Sequence, residues 1–233
     1  MIAVILYTYN RLECAERTLA ALFSHLWTKH DLWLHVSDDG SPPEYRERLW
    51  ELAGQYCGDR RTITNSERRG YGASYNAASQ VVHQLGGVAA LLHLEDDWIL
   101  TKELDLDPLV DVLQSEARIG CIRMGYLGYT RELKAEFIDR RGASYLLLDP
   151  YSESEYVFSG HPRLETVAWA RKVGLWPEHL RAGETELAIC SRMEARTGVA
   201  WPADLIPPRG GLFVHSDSGI TVKDAPLRLA VTP

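Results

Sequence analysis

Three consecutive carboxylates, Glu95, Asp96 and Asp97, follow directly after the apolar run Val88–Leu94. This nearly continuous apolar run between two glycines and the acids is typical of a strand buried on both faces. Because side chains alternate along a strand, the pattern predicts Glu95 and Asp97 on one side, about 6–7 Å apart at the backbone, and Asp96 on the other. Such a pair can converge on a divalent cation, since three buried acids without a cation or basic partner would be costly. The alternative interpretation is a solvated acidic turn at a strand end.

Length and hydropathy favour a globular chain without a membrane span. The 233 residues suffice for one domain, or one domain with an appended subdomain, and 45% of them are hydrophobic and 24% charged. No apolar run approaches the ~20 residues that a membrane span needs. The opening stretch MIAVILYTYN lacks a basic region and a cleavage site, so we expect a first strand rather than a signal peptide.

The spacing of the cysteines and the net charge bear on the cellular compartment and on the kind of binding partner. The four cysteines are widely spaced and form no CxxC pair, which predicts reduced thiols and a cytoplasmic location. The net charge of −7 argues against a broadly basic surface for nucleic acid. It leaves room for a local arginine patch that would suit a phosphate-bearing acceptor such as DNA.

The first half of the chain alternates short apolar runs with amphipathic stretches, which predicts a parallel, doubly wound sheet. Ligands of such sheets lie beyond the carboxyl ends of the strands. Three of these predicted ends carry polar loops, at Thr8–Arg11, Asp38-Asp39 and Glu95–Asp97. The predicted strands are Ile2–Tyr7, Leu32–Val36, Arg61–Asn65 and Val88–Leu94, and the predicted helices are Leu12–Leu26, Glu44–Tyr56 and Gly70–Leu85.

The second half is less regular, and a loose tail is expected over the last dozen residues. Ser152–His161 gives few signals and is predicted as strand and loop. A C-terminal stop at Gly198 is expected for the last predicted helix. The predicted helices are Leu109–Leu113, Leu164–Val173 and Glu184–Arg196, and the predicted strands are Ile119–Met124, Tyr145–Leu148 and Leu212–His215, the last preceded by Gly210-Gly211 and followed by a loop at Ser216–Gly219.

Five segments together resemble the GT-A-fold glycosyltransferases, especially family 2. They read VILYTYNR, SDDGS, RRGYGASYNAA, LEDDWIL and GETELAICSRMEARTG, in the order expected for that family. The resemblance implies one α/β domain over residues 1–233, with a Rossmann-like, mostly parallel central sheet flanked by helices. It further implies a nucleotide-sugar-binding half over residues 1–100 and a smaller, irregular acceptor-binding half over residues 101–233.

The resemblance also implies a nucleotide-sugar donor, a UDP-sugar, held at the strand ends. A carboxylate such as Asp39 would accept hydrogen bonds from a nucleobase N–H or from ribose hydroxyls. The alternatives are an Asx-turn at Asp38 and Asp39 and a helix start with solvated arginines at Arg68 and Arg69. The implied donor-binding residues are Thr8, Tyr9, Arg11, Asp38, Asp39, Arg69, Asn76, Glu95 and Asp96.

By the same resemblance, the three acids stand at the family's DxD metal motif, with Glu at the first position. A Mn²⁺ or Mg²⁺ ion would bridge carboxylate and pyrophosphate and neutralise charge on the departing diphosphate. Asp97 is the first implied ligand, with Glu95 and His215 beside it. The alternative for His215 is a structural or solvated histidine.

The resemblance places the catalytic base at Glu184, with Glu186 as the second candidate. A carboxylate at a helix N-terminus is kept ionised by the dipole and can take a proton from an acceptor hydroxyl. Attack opposite the nucleotide would invert the anomeric carbon in a single displacement. The alternative is ordinary stabilisation of a first helical turn.

The acceptor is left open among a saccharide, a small molecule, a protein and a modified DNA base. Aromatic faces pack on sugar C–H groups, so the expected acceptor contacts are aromatic side chains. Two other functions are compatible with the pattern, a nucleotidyltransferase of sugar phosphates and a noncatalytic protein that binds a nucleotide sugar or a glycan. The candidate acceptor-binding residues are Trp98, His161, Trp176 and Trp169.

Overall fold

The computed structural model describes residues 1–65, 67–125, 132–140, 142–153, 157–193, 198–202, 212–216 and 229–232. None of the helices in these ranges is both long enough and apolar enough to cross a membrane. The helices are α1 (Leu12–His25), α2 (Pro43–Cys57), α3 (Tyr71–Val82), α4 (Asp107–Ser115), α5 (Val167–Val173) and α6 (Ala182–Cys190). The strands are β1 (Ile2–Thr8), β2 (Leu26–Trp27), β3 (Leu32–Asp38), β4 (Arg61–Asn65), β5 (Ala90–Glu95), β6 (Trp98–Leu100), β7 (Leu104–Asp105), β8 (Ile119–Arg123), β9 (Leu133–Arg140), β10 (Ala143–Leu148), β11 (Arg163–Glu165), β12 (Gly198–Pro202), β13 (Phe213–His215) and β14 (Leu229–Thr232).

Within the described ranges, ten strands form one sheet in the order β14-β9-β10-β12-β8-β11-β5-β1-β3-β4. The strands β5, β1, β3 and β4 are parallel neighbours, joined through helices as parallel strands require. Beyond β5 the sheet is mixed, because β11 runs antiparallel between β5 and β8. The predicted α/β fold with a Rossmann-like, mostly parallel central sheet is therefore confirmed.

The core lies on both faces of this sheet, and β1 shows why. Ile2, Val4 and Leu6 belong to the buried cluster that includes residues of α1, α2 and α4. The alternate residues of β1 belong to a second cluster with residues of α3 and α5. A strand covered on both faces has to be apolar throughout, which is the pattern that predicted it.

The strand register brings the predicted polar loops to one edge. Thr8, the last residue of β1, pairs with Asp38, the last residue of β3. On the other side of β1, Tyr7 pairs with Glu95, the last residue of β5. The three loops that were predicted at strand ends therefore lie next to one another.

The predicted helix Leu164–Val173 is wrong in its first part. Arg163–Glu165 is the strand β11, and the helix α5 begins only at Val167. The side chain of Thr166 accepts a hydrogen bond from the N–H of Trp169 at 3.0 Å and caps the helix there. Leu164 is fully buried in the sheet, so its apolar character reflects a strand rather than a helix face.

The other corrections also fall in the second half. The predicted helix from Glu184 ends at Cys190, Arg196 lies outside the described residues, and Gly198 begins β12 instead of ending a helix. Part of the expected loose tail is the strand β14, which pairs with β9. Of the segment 152–161, the described residues contain no strand. Gly210, Gly211 and residues 217–219 lie outside the described ranges.

Acid should weaken the fold through His35, a fully buried residue of β3. Burial lowers the pKa of His35 from its ordinary value of 6.5 to about 4. His35 therefore binds a proton more readily in the unfolded chain than in the folded one. The stability that neutral His35 allows is fully present above pH 6.5 and is lost as the pH falls toward 4. We expect this residue alone to lower the free energy of unfolding by about 2–3 kcal/mol between pH 7.5 and 4.5.

Urea unfolding of the wild type and of His35→Gln at both pH values measures this effect. The glutamine can still reach a threonine hydroxyl, as His35 does with Thr62 at 2.8 Å, but it does not titrate. An identical pH dependence in the two proteins would contradict the assignment.

Candidate active site

The three acids close β5 and turn into β6. The strand ends at Glu95, and Asp96 and Asp97 form the turn before Trp98. Asp96 is fully buried and Asp97 is 6% exposed, so the alternative of a solvated turn is wrong. The predicted alternation of side chains does not continue past the end of β5. Arg11 contacts both Asp96 and Asp97, with its Nη1 2.8 Å from Asp97 Oδ2, so the two aspartates face the same side chain.

Both carboxylate oxygens of Asp96 have partners within the protein, Oδ1 in the ion pair with Arg11 and Oδ2 in a hydrogen bond with Thr8. Thr8 Oγ1 donates to Asp96 Oδ2 at 2.7 Å, and Thr18 Oγ1 donates to its backbone carbonyl at 2.8 Å. Because Thr8 donates its only hydroxyl proton to Asp96, the Tyr45 hydroxyl is the donor to Thr8 Oγ1, 2.8 Å away, and its oxygen accepts the N–H of Arg11. Burial raises the pKa of Asp96 to about 6, although Arg11 favours the carboxylate. The contacts of Asp96 position the turn.

Asp97 faces His215 across a second strand pair. The strand β13 runs antiparallel to β6, and this register sets His215 opposite Trp98. His215 Nε2 lies 3.4 Å from Asp97 Oδ2. Burial alone would raise the pKa of Asp97, but His215 and Arg11 together hold it below its ordinary value. The structure therefore brings together two of the three predicted metal ligands, and Asp97 is ionised.

The chemistry of these residues fits a hard divalent cation. Asp97 Oδ1 is buried and makes no hydrogen bond within the described residues. Burial raises the pKa of Glu95 well above its ordinary value, and the negative charges of Asp97 and Glu186 raise it further. In the part of the chain that is described, no three His, Cys, Asp or Glu side chains are already gathered into a metal cluster. An orphaned carboxylate oxygen beside an imidazole and a second carboxylate suits Mn²⁺ or Mg²⁺.

A cleft of about 150 Å³ opens beside the acids. Five predicted donor-binding residues line it, and three further residues do so without having been predicted. Tyr71 is one of these, and its place between Gly70 and Gly72 at a helix start was the available signal. The lining residues are Thr8, Tyr9, Arg11, Asp39 and Glu95 from the predicted set, with Tyr7, Tyr71 and Ser74.

The carboxylates of Asp38 and Asp39 accept hydrogen bonds from different loops. Asp38 accepts hydrogen bonds from the N–H of Ser41 at 3.0 Å and from its hydroxyl at 2.5 Å, which is the turn that was the alternative interpretation. Asp39 accepts the N–H groups of Arg69 and Gly70, each at 3.0 Å. Gly70 has a φ of 89°, a conformation that favours glycine. Asp39 thus fixes the loop before α3 while it lines the cleft.

The two arginines before α3 point to different partners. The guanidinium of Arg68 lies 4.1 Å from the ring centroid of Tyr9 and donates to its hydroxyl at 3.0 Å. Arg69 pairs with Glu178 at 3.3 Å. Arg68 therefore lies against a cleft residue, whereas the side chain of the predicted donor contact Arg69 contacts the loop that follows α5.

Asn76 joins α3 to the same loop. Its Oδ1 accepts the N–H of Trp176 at 2.8 Å, and its Nδ2 donates to the Trp176 carbonyl and to Glu178 Oε1, both at 3.0 Å. The amide is buried and fully used, and it does not line the cleft. The predicted donor contact at Asn76 is replaced here by a structural one.

Replacing Asn76 with alanine should therefore cost stability rather than nucleotide affinity. The change leaves the peptide N–H and C=O of Trp176 without their partner, and each unsatisfied buried group costs about 1–3 kcal/mol. We expect a loss of about 2–4 kcal/mol in urea unfolding, with UDP binding retained by the folded protein. Gln80→Ala, at an exposed position of the same helix, is the control. Unchanged stability with lost UDP binding would restore the donor contact.

The structure separates the two candidate bases. Glu184 is exposed, and its Oε2 accepts the N–H of Arg181 at 3.1 Å in a capping arrangement, the alternative that the sequence left open. Glu186 turns inward and accepts the N–H of Gly160. Burial raises the pKa of Glu186, and the Gly160 N–H and Arg123 partly offset this. Glu186, and not Glu184, lies beside the acid cluster.

The three tryptophans among the predicted acceptor contacts lie in the interior, whereas His161 is partly exposed. Trp98 is 1% exposed and packs between His161 and His215, with ring centroids 4.9 and 5.1 Å away. Trp176 is 2% exposed and stacks on Tyr75 at 4.2 Å, and Trp169 is also buried. None of these rings lines the cleft, because their large apolar area is used in packing.

Sequence reasoning missed a buried polar network under the cleft. Glu165 accepts hydrogen bonds from Tyr75 at 3.0 Å and Arg163 Nε at 3.1 Å, and its carboxylate lies 2.8 Å from His93 Nε2. Burial would raise the pKa of Glu165, but His93 and Arg163 lower it to about 2. His93 Nδ1 in turn lies 2.8 Å from the hydroxyl of Tyr7, which lines the cleft. Isolated polar residues on strands carry no sequence signal for such a network.

Residues 3–164, well over half of the chain, match the sequence model of glycosyl transferase family 2. The chain belongs to glycosyltransferase family 2. A search of curated protein sequences found no significant match.

Solved structures show that this family 2 chain has the GT-A fold. Residues 1–349 of S. aureus TarS in complex with UDP-GlcNAc match with a TM-score of 0.61 and 16% identity, over 87% of this chain and 56% of that chain. The mannosyltransferase PcManGT from Pyrobaculum calidifontis in complex with GDP-Man and Mn²⁺ matches with a TM-score of 0.57 and 17% identity, over 90% and 58%. GalNAc-T7 with UDP, GalNAc and Mn²⁺ matches with a TM-score of 0.61 and 13% identity, over 87% and 42%. This chain thus spans only about half the length of these proteins.

Proposed function

We propose that this family 2 protein transfers a sugar from a nucleoside-diphosphate sugar, a UDP-sugar, to an acceptor hydroxyl with the help of Mn²⁺ or Mg²⁺. The observation that carries the proposal is Asp97 Oδ1, which is buried and has no hydrogen-bond partner among the residues that the structure describes. It belongs to a carboxylate that contacts Arg11, a residue of the cleft wall, and His215. A buried carboxylate oxygen without a partner is costly unless a ligand satisfies it.

The cleft supplies contacts suited to a nucleotide. Tyr9, with Arg68 stacked on it, offers a flat polarised surface, and Asp39 offers a carboxylate already oriented by two backbone N–H groups. The uridine assignment is supported by the UDP-containing complexes of TarS and GalNAc-T7. PcManGT was solved with GDP-Man, so guanosine is the base to test against it.

Asp97 and His215 would hold the cation, with Glu95 as the third candidate ligand. When bound, the cation neutralises the charge that develops on the departing diphosphate. The guanidinium of Arg11 holds Asp97 Oδ2, which leaves Oδ1 as the oxygen available to a ligand.

Glu186 is proposed as the general base in place of Glu184. The acceptor oxygen forms a bond to the anomeric carbon while its proton passes to the Glu186 carboxylate. The bond between the anomeric carbon and the diphosphate oxygen breaks, and its electron pair leaves with the nucleoside diphosphate. Attack opposite the leaving group inverts the anomeric configuration.

A thermal-shift panel tests the proposal. We expect UDP and UDP-N-acetylglucosamine to raise the melting temperature with Mn²⁺ and to have little effect with EDTA. A ligand at 100 times its Kd stabilises by about 2.7 kcal/mol, which corresponds to roughly 5–10 °C for a chain of this size. UMP, which lacks the second phosphate, is the control, and GDP and GDP-mannose test the base. Equal shifts with and without Mn²⁺, or no shift with any nucleotide, would contradict the proposal.

A further inference from the structure

Gly160 lies where three oxygen atoms converge. A Cβ built at this position would lie 3.1 Å from Glu186 Oε1, 3.1 Å from the Tyr71 hydroxyl and 3.2 Å from Glu95 Oε1, and these are its nearest heavy atoms. Gly160 does not have a positive φ, so any residue could adopt its backbone conformation. These distances are shorter than ordinary contacts of a Cβ, so the absence of a side chain at Gly160 allows the three oxygens to approach its backbone between the base candidate and the cleft.

Arg163 orients two sides of this space. Its Nη1 donates to the Gly160 carbonyl at 3.3 Å and to the Tyr71 hydroxyl at 3.4 Å. The Gly160 N–H donates to Glu186 and fixes that carboxylate as well. Arg163 is fully buried and is itself held by Glu165. Two of the three groups, the Tyr71 hydroxyl and the Glu186 carboxylate, are thus positioned by Arg163 and Gly160, which do not line the cleft.

The direction of these hydrogen bonds decides what the space can hold. Because the Tyr71 oxygen accepts from Arg163, its own hydrogen is free to be donated toward the space. Glu186, once ionised, can only accept there. A group that fits both must accept one hydrogen bond and donate another, and it must be small. A hydroxyl group meets these conditions.

We infer that Gly160, Tyr71 and Glu186 form the pocket that receives the acceptor hydroxyl. Tyr71 donates a hydrogen bond to the acceptor oxygen and thereby turns the acceptor hydrogen toward Glu186, which takes it as the oxygen attacks the anomeric carbon. The inference rests on the proposed function and assigns the acceptor side of the same reaction. Gly160 permits this arrangement, because a methyl group at this position would crowd the oxygens of Glu186, Tyr71 and Glu95.

The test uses water as the smallest acceptor. The donor is whichever of UDP-N-acetylglucosamine or GDP-mannose stabilises the wild type more, and its hydrolysis is followed with Mn²⁺ alongside the thermal shift. In Gly160→Ala we expect the shift to stay within about 1 °C of wild type while hydrolysis falls about 10- to 100-fold, since small misplacements of reacting groups cost up to that much. Gly86→Ala is the matched control, because its Cβ would lie more than 4 Å from the residues that the structure describes, its two chain neighbours aside.

Tyr71→Phe is the second variant, and it stays informative if Gly160→Ala does not fold. It keeps the ring that packs on Tyr7 and Trp176 and removes only the hydroxyl. Because Tyr71 also lines the donor cleft, we expect hydrolysis to fall about 10-fold, the scale of one catalytic hydrogen bond, and by clearly more than donor affinity.

Several outcomes would overturn the inference. These are wild-type hydrolysis in both Gly160→Ala and Tyr71→Phe, loss of donor binding in parallel with hydrolysis, and a wild type that binds the donor but never hydrolyses it. The last result counts because a hydroxyl pocket open to the bound donor must admit water. A wild type that no nucleotide stabilises would instead overturn the proposed function itself, so the two failures are distinguishable.

Discussion

Asp97→Asn should abolish the manganese-dependent stabilisation by UDP while the protein stays folded. The substitution keeps the shape of the side chain and its contact with Arg11, but it removes the charge that a cation needs. Loss of a direct ligand should weaken cation-dependent UDP binding at least about 100-fold, more than the 10- to 100-fold typical of residues one step removed from a metal. Calorimetric titration of UDP at fixed Mn²⁺ measures the change.

The control for this prediction is Asp59→Asn, which removes the same charge at an exposed position away from the cleft. We expect it to bind UDP like the wild type. Without ligand, Asp97→Asn should melt somewhat earlier than the wild type, because His215 and Arg11 outweigh burial and lower the pKa of Asp97, and its charge therefore stabilises the fold. The comparison accordingly uses the ligand-induced shift of each protein. Unchanged UDP affinity in Asp97→Asn would mean that the buried Oδ1 serves no cation.

Glu186→Gln should reduce donor hydrolysis by about 10²–10⁴-fold, the usual contribution of a general base. Glutamine has the same size and can still accept the N–H of Gly160, so donor binding should be unchanged. Glu184→Gln is the matched control two residues away on the same helix. Because Glu184 is exposed and serves as a cap, we expect its hydrolysis rate to remain within about threefold of wild type.

The pH dependence of hydrolysis provides an independent check on the same residue. A base works only when ionised, and burial raises the pKa of Glu186 above its ordinary value of 4.5. The rate should therefore rise with pH through a midpoint above 4.5, and this limb should be missing from the residual rate of Glu186→Gln. A large loss in Glu184→Gln with normal turnover in Glu186→Gln would return the base to Glu184, the position that the family resemblance implies.

The first half of the fold was predictable because its central strands β1 and β5 are buried on both faces. Continuous apolar runs such as Ile2–Tyr7 have few alternatives, and the strand order then places Thr8, Asp38 and Glu95 at one edge. The second half was less predictable because it breaks this pattern. The strand Arg163–Glu165 consists of two charged residues around one leucine, and only tertiary partners make such a sequence a buried strand.

The candidate site was predictable in its location but less so in its detail. The motifs identified five residues that line the cleft, and they also indicated that His215 would meet Asp97. They could not show that the Asn76 amide hydrogen-bonds to the backbone of Trp176, because that contact joins segments 100 residues apart. The choice between Glu184 and Glu186 depends on which face of α6 turns inward, and a short helix with polar residues on several sides does not decide this.

A crystal of the protein soaked with MnCl₂ and UDP, with anomalous scattering measured for manganese, tests the proposed cation site most directly. We expect one strong peak roughly 2.0–2.3 Å from Asp97 Oδ1, with His215 within coordination distance and the diphosphate on its open side. UDP bound in the cleft with no manganese at Asp97, or manganese bound elsewhere, would contradict the proposed site.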